Sequence, residues 1–343
     1  MSPSRRTFLV SATALGAGTA LAACTSNTPA GNTSVKANAA DNAAAGKPVT
    51  IGFSAPAADH GWIAAITANA EAQAKLYPEV TLRKVEAGKD AAAQAAALDT
   101  LIAAKPDVIV MLPHDGKELN SVGRKAMAAG IPVVNLDRAF PEDLAYRLQI
   151  KGDNYGMGVA AGQYVGAQLK ATGKTAPVIG EIAGMDELEL TQQRSKGFAD
   201  ALATFGFKVA NRRAARFTAD SGQKEADNLL QALPKLDAVW NHDDDQGIGV
   251  LAAIAQSGRK DFLLVGGAGS RKAMETIKAD NSVLKATVTY SPSMASSAIS
   301  LARLLAQGRG MGDLVELQVP KEIILAAETV TKANVDRYLT LGF

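Results

Sequence analysis

The sequence predicts an α/β fold of two Rossmann-like doubly wound lobes, and two observations carry this prediction. From Val49 onward, short apolar runs typical of buried strands alternate with Ala-rich segments of helical period. The alternation starts again near residue 150 and yields a second set of strands and helices. Such alternation predicts βαβ units with parallel strands, and two full sets exceed what one sheet usually accommodates.

The first 47 residues are expected to lie outside this fold. Residues 1–23 carry a twin arginine, Arg5-Arg6, and an apolar stretch that ends in LAAC at Cys24. A membrane span needs about 20 apolar residues, so this shorter stretch is interpreted as an export signal. It resembles the signal of twin-arginine-exported lipoproteins, which implies a lipid on Cys24. Residues 24–47 are low in apolar bulk and predict a flexible tether.

Charge balance and cysteine content narrow the class of protein. The chain carries 36 Lys and Arg against 34 Asp and Glu, and loss of Arg5 and Arg6 with the signal makes the two signs equal. A chain without net basic charge does not suggest a nucleic-acid partner. Cys24 is the only cysteine, so we expect no disulfide within the chain and a fold that is stable through its core alone.

The first lobe is assigned to residues 48–151 and 291–318. Four apolar runs predict its strands, namely VTIGFS, VTLRKV, DVIVML and IPVVNL. The segments WIAAITANAEAQAKL and DAAAQAAALDTLIAA between them have helical periodicity. The late helix MASSAISLARLLAQG and the run LVELQVP have no place in the second set of elements, so they are expected to return to the first lobe.

The second lobe is assigned to residues 152–290 and 319–343. After RLQIKGDN, its predicted strands are APVIGEIAG, FKVANRR, LDAVWN, DFLLVGG and LKATVTY. Segments of helical period separate these runs. The run EIILAAE lies within residues 319–343, but it has no obvious place among these strands, and a return to the first lobe stays open for it as well. Ligands of open α/β sheets sit beyond the carboxyl ends of the strands, so the residues just after each strand are the candidate site.

Three kinds of chemistry find little support at these strand ends. The run Asp243-Asp244-Asp245 lacks the spacing of a calcium loop, and the three histidines form no HxxxH pair, so no metal is expected. The turn GGAGS lacks the GxGxxG spacing of a nucleotide site and predicts a tight strand-to-helix turn. A GxSxG elbow is missing as well, which argues against a serine hydrolase.

Recognition of hydroxyl groups fits the strand ends best. A carboxylate that accepts hydroxyls beside a guanidinium that donates to them satisfies both roles of a sugar hydroxyl, and Asp137-Arg138 after PVVNL supplies this pair. Asp243, the first acid after LDAVWN, is expected to face the ligand, whereas Asp244 and Asp245 are expected to cap the next helix. Trp62 and Phe217 offer rings for the apolar face of a sugar, and Trp240 is expected in the core.

At these residues the chain resembles the ribose-binding type of periplasmic sugar-binding proteins, the solute receptors of ABC importers. The resemblance rests on DHGW, VVNLDR, GDNYGMGVAAGQYV, IAGMDELELTQQRSKGF, LDAVWNHDDDQGIG, VGGAGS and KATVTYSP. It implies a type I periplasmic binding protein, with two lobes joined by a three-strand hinge and the sugar between them. The ligand-binding residues it implies are His60, Trp62, Asp137, Arg138, Arg194, Phe217, Asp243 and Tyr290.

Two positions depart from the family pattern. Ala268 stands where the family usually has Asp, and Tyr290 stands where it has a Gln near the hinge. Ribose is therefore not assumed, and another monosaccharide or a sugar alcohol is expected. Two acids and two arginines leave the implied site near neutral, so an acidic ligand would leave carboxylates unpaired at a desolvation cost of several kcal/mol.

The sequence therefore predicts a lipid-anchored, extracytoplasmic and monomeric receptor that closes on a neutral monosaccharide or polyol and delivers it to an ABC permease. No enzymatic activity and no cofactor are expected, and the only membrane contact is through the N-terminal lipid. Two alternatives stay open. One is a receptor for a furanose-type signal molecule, and the other is a sugar-acting enzyme on the same scaffold with His242 beside Asp243 as its best candidate pair.

Overall fold

A computed structural model describes residue 42 and residues 44–343. The predicted signal, the lipidation residue Cys24 and most of the predicted tether lie outside this part of the chain. The described residues form two six-stranded sheets with helices on both faces of each, so the predicted α/β class with two doubly wound lobes is confirmed. None of the helices in these residues is long and apolar enough to cross a membrane.

Six parallel strands form the first sheet, and the four central ones are buried between helices on both faces. Across the sheet, the second strand of the chain lies at one edge and a strand from near the C-terminus lies at the other. In sheet order they are β2 (Val80–Glu86), β1 (Val49–Ala55), β3 (Val108–Met111), β4 (Val133–Leu136), β5 (Leu148–Gly152) and β11 (Glu322–Leu325).

Four helices cover the first sheet, two on each face, and successive residues of β3 show which pair lies on which face. Val108 and Val110 join the core cluster under one helix pair, whereas Ile109 and Met111 join the cluster under the other pair. This alternation follows the two-residue repeat of a strand. The first pair is α1 (Gly61–Lys75) with α9 (Met294–Gln307), and the second pair is α2 (Ala91–Ala103) with α3 (Gly116–Ala128).

The second sheet repeats the arrangement with one antiparallel edge strand. In sheet order its strands are β12 (Thr329–Thr331), β10 (Leu284–Thr289), β9 (Leu263–Ala268), β8 (Ala238–Asn241), β6 (Ile179–Ala183) and β7 (Val209–Ala214). Only β12, which pairs with β10, runs antiparallel among them. Its helices are α4 (Asn154–Ala171), α5 (Glu189–Ala203), α6 (Ala219–Ala232), α7 (Asp244–Ser257), α8 (Arg271–Ala279) and α10 (Val335–Tyr338).

The chain crosses between the two sheets three times. It crosses after β5, after β10, and between β11 and β12. These crossings lie side by side, as the side chain of Tyr290 after β10 contacts the site of Gly152 at the end of β5. These three adjacent connections join the lobes and form the hinge between them.

The structure differs from the sequence-based boundaries near the C-terminus. Residues 319–343 were assigned to the second lobe, but β11 within them pairs in parallel with β5 of the first sheet, from Glu322 opposite Gln149 to Leu325 opposite Gly152. The edge of β5 offers unpaired backbone groups to β11, whereas the edge of β10 is paired with β12. The run LVELQVP forms no strand, and its Leu317 is 89% exposed.

Candidate functional site

All eight residues that the sequence analysis selected line one cavity, which lies where the carboxyl ends of the two sheets face each other. About 330 Å³ of space, part of it open to solvent, lies between the residues that line the cavity. Leu190 and Ala268 complete the wall. The selected residues are His60, Trp62, Asp137, Arg138, Arg194, Phe217, Asp243 and Tyr290.

The position of these residues follows from the ends of the strands. His60 and Trp62 lie at the start of α1 after β1, and Asp137 follows β4, so these belong to the first lobe. From the second lobe, Asp243 follows β8 and Tyr290 follows β10. Parallel strands bring their carboxyl ends to one edge of each sheet, which is why residues far apart in the chain meet here.

Asp137 and Arg138 are held at a sharp bend after β4. Asp137 adopts a φ of 65°, a left-handed conformation that Asp tolerates better than most residues. Its Oδ1 accepts the phenolic hydrogen of Tyr290 at 2.5 Å. Arg138 donates from Nη1 to the carbonyl of His114 at 2.5 Å, and its Nε lies 4.0 Å from Oδ2 of Asp137.

The Nε of Arg138 is a donor without a partner. This atom is buried and makes no hydrogen bond to any part of the chain that the structure describes. Burial lowers the pKa of Arg138, but the charge of Asp137 opposes this effect. A buried unpaired donor costs free energy, so a guanidinium in this position favours a ligand with acceptor oxygens.

Arg194 reaches the cavity from α5, and a residue that the sequence analysis missed holds it there. Asn154 at the start of α4 accepts from Nε of Arg194 at 2.9 Å and donates to the Tyr290 hydroxyl at 3.1 Å. The guanidinium carbon lies 4.6 Å from the ring centroid of Tyr290 and 5.9 Å from that of Phe217. The signal that was available is the place of Asn154 at the end of the run RLQIKGDN, two residues after the end of β5.

The three consecutive aspartates divide their roles differently from the expectation. Asp243 is the N-cap of α7, since its Oδ1 accepts from the backbone of Asp245 at 2.9 Å and of Gln246 at 3.2 Å. It lines the cavity as well. Asp244 and Asp245 lie in the first turn of α7, but the expectation that they cap the helix is wrong, because their carboxylates bond elsewhere.

Asp244 is buried, and its carboxylate binds the turn between β9 and α8. It accepts from the backbone of Gly267 at 3.0 Å and of Ser270 at 2.8 Å, and from the hydroxyl of Thr287 at 2.9 and 3.1 Å. Gly267 and Ser270 belong to the run GGAGS, so two amides that a phosphate would need already donate to a carboxylate. The turn is therefore a strand-to-helix connection, as expected. Burial raises the pKa of Asp244 to about 8.

Asp245 reaches across to the other lobe. Its Oδ2 accepts from the backbone N–H of Trp62 at 2.9 Å. His60, the N-cap residue of α1, makes no capping bond with its own side chain, and the first turn of α1 contains no acid. Asp245 therefore supplies to a helix of the first lobe the acceptor that this helix lacks.

Two titratable groups on the cavity wall have shifted pKa values. Burial raises the pKa of Asp243 to about 6, and the like charge of Asp245 adds to this, while His60 and Arg194 oppose it. Burial alone lowers the pKa of His60, but its bond to Asp59 and the nearby carboxylates outweigh burial and raise the pKa overall. The Nδ1 of His60 lies 2.5 Å from Oδ1 of Asp59, which leaves Nε2 for other partners.

His242, the candidate catalytic partner of Asp243, is bonded elsewhere. Its side chain is fully buried, its Nε2 lies 2.9 Å from Glu181 Oε1, and its Nδ1 accepts from the backbone of Gly184 at 3.4 Å. Burial lowers the pKa of His242, although Glu181 opposes this. Only the carbonyl of His242 contacts the site, where it accepts from Arg194 at 3.3 Å. Trp240 is fully buried beside Phe198, as expected of a core residue.

The cavity continues outward as a space of about 510 Å³ between the lobes. Its wall shares Asp137, Arg138 and Leu190 with the cavity and adds charged side chains of both lobes, among them Lys117 and Glu187. Within residue 42 and residues 44–343, no cluster of three or more His, Cys, Asp or Glu side chains could hold a metal ion.

Comparison with known proteins places this geometry in context. The family described as periplasmic binding protein domain matches residues 51–310. The ribose import binding protein of Bacillus subtilis is 30% identical over 248 residues, which cover 72% of this chain and 78% of that protein. The D-apiose import binding protein of Paraburkholderia graminis is 28% identical over 78% of this chain and 82% of its own length.

A solved structure shares both lobes. The crystal structure of a Mycobacterium smegmatis protein in complex with β-D-fucofuranose superposes with a TM-score of 0.76 and 25% identity, over 85% of this chain and 94% of that one.

Proposed function

The chain belongs to the periplasmic binding protein family, and on that premise we propose that it is an extracytoplasmic receptor that captures a neutral monosaccharide or sugar alcohol for an ABC importer. Relatives named for the import of ribose and of apiose support this proposal, as does the related structure with β-D-fucofuranose. The receptor itself performs no chemistry, and a permease takes over the ligand.

The observation that carries the proposal is the composition of the cavity that the eight selected residues line between the lobes. Two carboxylates, Asp137 and Asp243, face two guanidiniums, Arg138 and Arg194, among aromatic rings. Carboxylates accept hydrogen bonds from hydroxyls and guanidiniums donate to them, so together they satisfy both the donor and the acceptor capacity of a polyol. The opposite charges balance, and an ionic ligand would leave one of them buried without a partner.

Closure of the lobes provides the response to the ligand. The three crossings form a hinge, and a ligand that touches side chains of both lobes favours the closed state by its extra contacts there. Closure changes the surface that the two lobes present together, and the permease recognises this changed surface.

Export and anchoring complete the proposal. Residues 1–23 act as a twin-arginine signal, Cys24 carries the lipid, and the protein works as a monomer at the outer side of the membrane. Metabolic labelling with a fatty acid tests the anchor, since Cys24→Ala should abolish incorporation and release the protein from membranes. Equal labelling of this variant would refute lipidation at Cys24.

A thermal-shift screen of pentoses, hexoses, deoxy sugars and alditols tests the binding function, because a ligand raises stability by RT ln(1 + [L]/Kd). We expect one class of neutral compound to stand out. The double variant Asp137→Ala/Arg138→Ala should then lose binding by far more than threefold. The control Lys125→Ala/Asp99→Ala removes an exposed Lys–Asp pair outside the cavity and should keep full affinity. Binding that survives the first change within threefold would overturn the site.

A receptor for a furanose signal is the second candidate, and the related structure with bound β-D-fucofuranose favours it. Uptake of the radiolabelled ligand separates the two functions. If the protein is an importer component, its deletion should abolish uptake of the ligand. If the protein is only a sensor, its deletion should leave uptake intact and alter only the response to the ligand. An enzyme would convert the bound sugar during a long incubation. Recovery of the unchanged sugar therefore distinguishes the importer component and the sensor from an enzyme.

A further inference from the structure

One side of the cavity consists of Trp62, Ala268 and Tyr290, and we call it the hinge wall. These residues are continuous, since the indole Nε1 of Trp62 donates to the carbonyl of Tyr290 at 2.8 Å and the backbone N–H of Tyr290 donates to the carbonyl of Ala268 at 3.0 Å. All three are buried. The hinge wall is therefore a fixed part of the site and not a loose rim.

The side-chain donors of the hinge wall are already used within the protein. The indole N–H of Trp62 is bound to Tyr290, and the phenolic hydrogen of Tyr290 goes to Asp137 at 2.5 Å. The Tyr290 oxygen in turn accepts from Asn154 at 3.1 Å. Its ring is held between the indole of Trp62, with centroids 5.8 Å apart, and the guanidinium of Arg194. The hinge wall thus presents carbon atoms to a ligand.

Ala268 adds no polar side chain to the hinge wall. It ends β9 with a φ of 80° and lines the cavity, and its side chain is only a methyl group. An Asp or Asn, which adopts such a φ more readily than Ala, would place an acceptor there. The apolar residue is thus present at a position whose backbone conformation favours polar ones.

The rest of the cavity wall is polar and partly unpaired. Arg138 lines the cavity, and its buried Nε has no partner among the described residues. Asp137 has its Oδ2 unused by the Tyr290 bond, and Asp243 keeps one oxygen beyond the one that caps α7. The cavity therefore has a hydroxyl-binding side and a hydrocarbon side.

We propose that the receptor selects a deoxy sugar, whose carbon without a hydroxyl faces the hinge wall while its remaining hydroxyls meet Asp137, Arg138 and Asp243. This inference rests on the proposed function and narrows its ligand class. A hydroxyl pressed against the hinge wall loses its hydrogen bonds to water and finds no donor there in exchange. A CH₂ or CH₃ group at the same place loses nothing and gains contact with the two rings.

Calorimetric titration with matched pairs of sugars tests the inference. D-fucose against D-galactose and 5-deoxy-D-ribose against D-ribose differ only by one terminal hydroxyl. We expect the deoxy member of the bound pair to be favoured by about ten- to a hundredfold, the range in which an apolar pocket discriminates against one added hydroxyl. The variant Ala268→Asp/Tyr290→Gln, which makes the hinge wall polar, should lose or reverse this preference.

The control is Tyr155→Gln, which removes an exposed tyrosine of α4 outside the cavity and should keep the preference. Thermal unfolding of each variant checks that it folds, and the single change Ala268→Asp serves if the double variant does not. Binding of the hydroxylated member as tightly as the deoxy member would overturn the inference and leave the proposed function standing. The absence of binding by any sugar or alditol would overturn both.

Discussion

Tyr290 donates its phenolic hydrogen to Oδ1 of Asp137 at 2.5 Å, and this bond joins the two lobes at the hinge. Tyr290 follows β10 of the second sheet, whereas Asp137 follows β4 of the first. The carboxylate that is expected to bind a hydroxyl of the ligand is thus positioned by a residue of the other lobe. A hinge residue thereby acts on both the stability of the site and its choice of ligand.

Tyr290→Phe should lower the free energy of unfolding by about 1–3 kcal/mol, because it leaves Asp137 and Asn154 without their buried partner. The hinge wall stays apolar, so a preference for deoxy sugars should persist. Urea denaturation followed by circular dichroism measures the loss. Tyr155→Phe, which removes an exposed bond to Asp200, is the control and should cost less than about 0.5 kcal/mol. Equal losses in the two variants would contradict the role of Tyr290.

Asp245→Ala should weaken ligand binding about fivefold, since a lost N-cap costs on the order of 1 kcal/mol. The carboxylate caps α1 from the other lobe, so its contribution depends on closure and appears in the dissociation constant. Calorimetry measures the effect. Glu275→Ala removes an exposed acid of α8 and should leave affinity unchanged. An unchanged affinity of Asp245→Ala would show that the contact does not contribute to closure.

Gly61→Ala tests the same contact from the first lobe. A Cβ at Gly61 would lie 2.7 Å from Oδ1 of Asp245, closer than such contacts normally are. The variant should therefore bind more weakly than the natural protein. In Gly61→Ala/Asp245→Ala the clash is gone, so the double variant should bind no more weakly than Asp245→Ala alone, and the two effects should not add. Additive losses would mean that Gly61 matters for another reason.

Ligand affinity should fall as the pH drops through about 6, because Asp243, whose pKa burial raises to about 6, must be ionised to accept two hydroxyls. The loss should approach tenfold per pH unit below this value. Asp243→Asn keeps an N-cap for α7 and should flatten the profile between pH 5 and about 7. His60, whose pKa is raised, and the charged side chains of Asp245 and Arg194 act on Asp243 and are unchanged in that variant, so a persisting slope would assign the titration to His60.

The stability of the ligand-free protein should respond to pH in the opposite sense. The folded pKa of Asp243 lies above its ordinary value of 3.8, so its contribution to stability is full below 3.8 and is lost as the pH rises through about 6. The difference in unfolding free energy between the natural protein and Asp243→Asn isolates this contribution. If affinity rises with pH while stability falls over the same range, one carboxyl group, that of Asp243, accounts for both effects.

Asp244→Ala should destabilise the protein by on the order of 3 kcal/mol, because it leaves the backbone N–H groups of Gly267 and Ser270 and the hydroxyl of Thr287 buried without an acceptor. Thermal and urea denaturation measure the loss. Asp261→Ala, which removes an exposed acid before β9, is the matched control and should be nearly neutral. A small effect of Asp244→Ala would mean that water replaces the carboxylate in the turn.

Much of the fold was readable from the sequence because both signals that specify it are local. Apolar runs of four to seven residues identified the strands, and the restart of the pattern near residue 150 identified the second lobe. The edge strand β11 was assigned to the wrong lobe, since nothing within EIILAAE distinguishes the edge of β5 from that of β10. Pairing of a late strand depends on which sheet edge is open, and this is a property of the assembled sheets.

The positions of the site residues were also predicted from local signals in the sequence. Their hydrogen bonds were missed, because these bonds depend on contacts that no local signal specifies. Strand ends locate Asp137, Asp243 and Tyr290 along the chain, and the topology of parallel sheets brings such ends together. No local pattern shows that Asp243 caps α7 while Asp245 caps α1 of the other lobe, or that Asn154 links Arg194 to Tyr290.

The sequence by itself determined the alternation of elements, the two lobes and the set of side chains at the strand ends, because periodicity and turn chemistry act over a few residues. Only the tertiary structure decided the partner of each polar group and left the hinge wall without a free side-chain donor. A buried hydrogen bond joins atoms that are distant in the chain, so the packing of the two lobes settles which donors and acceptors remain for a ligand.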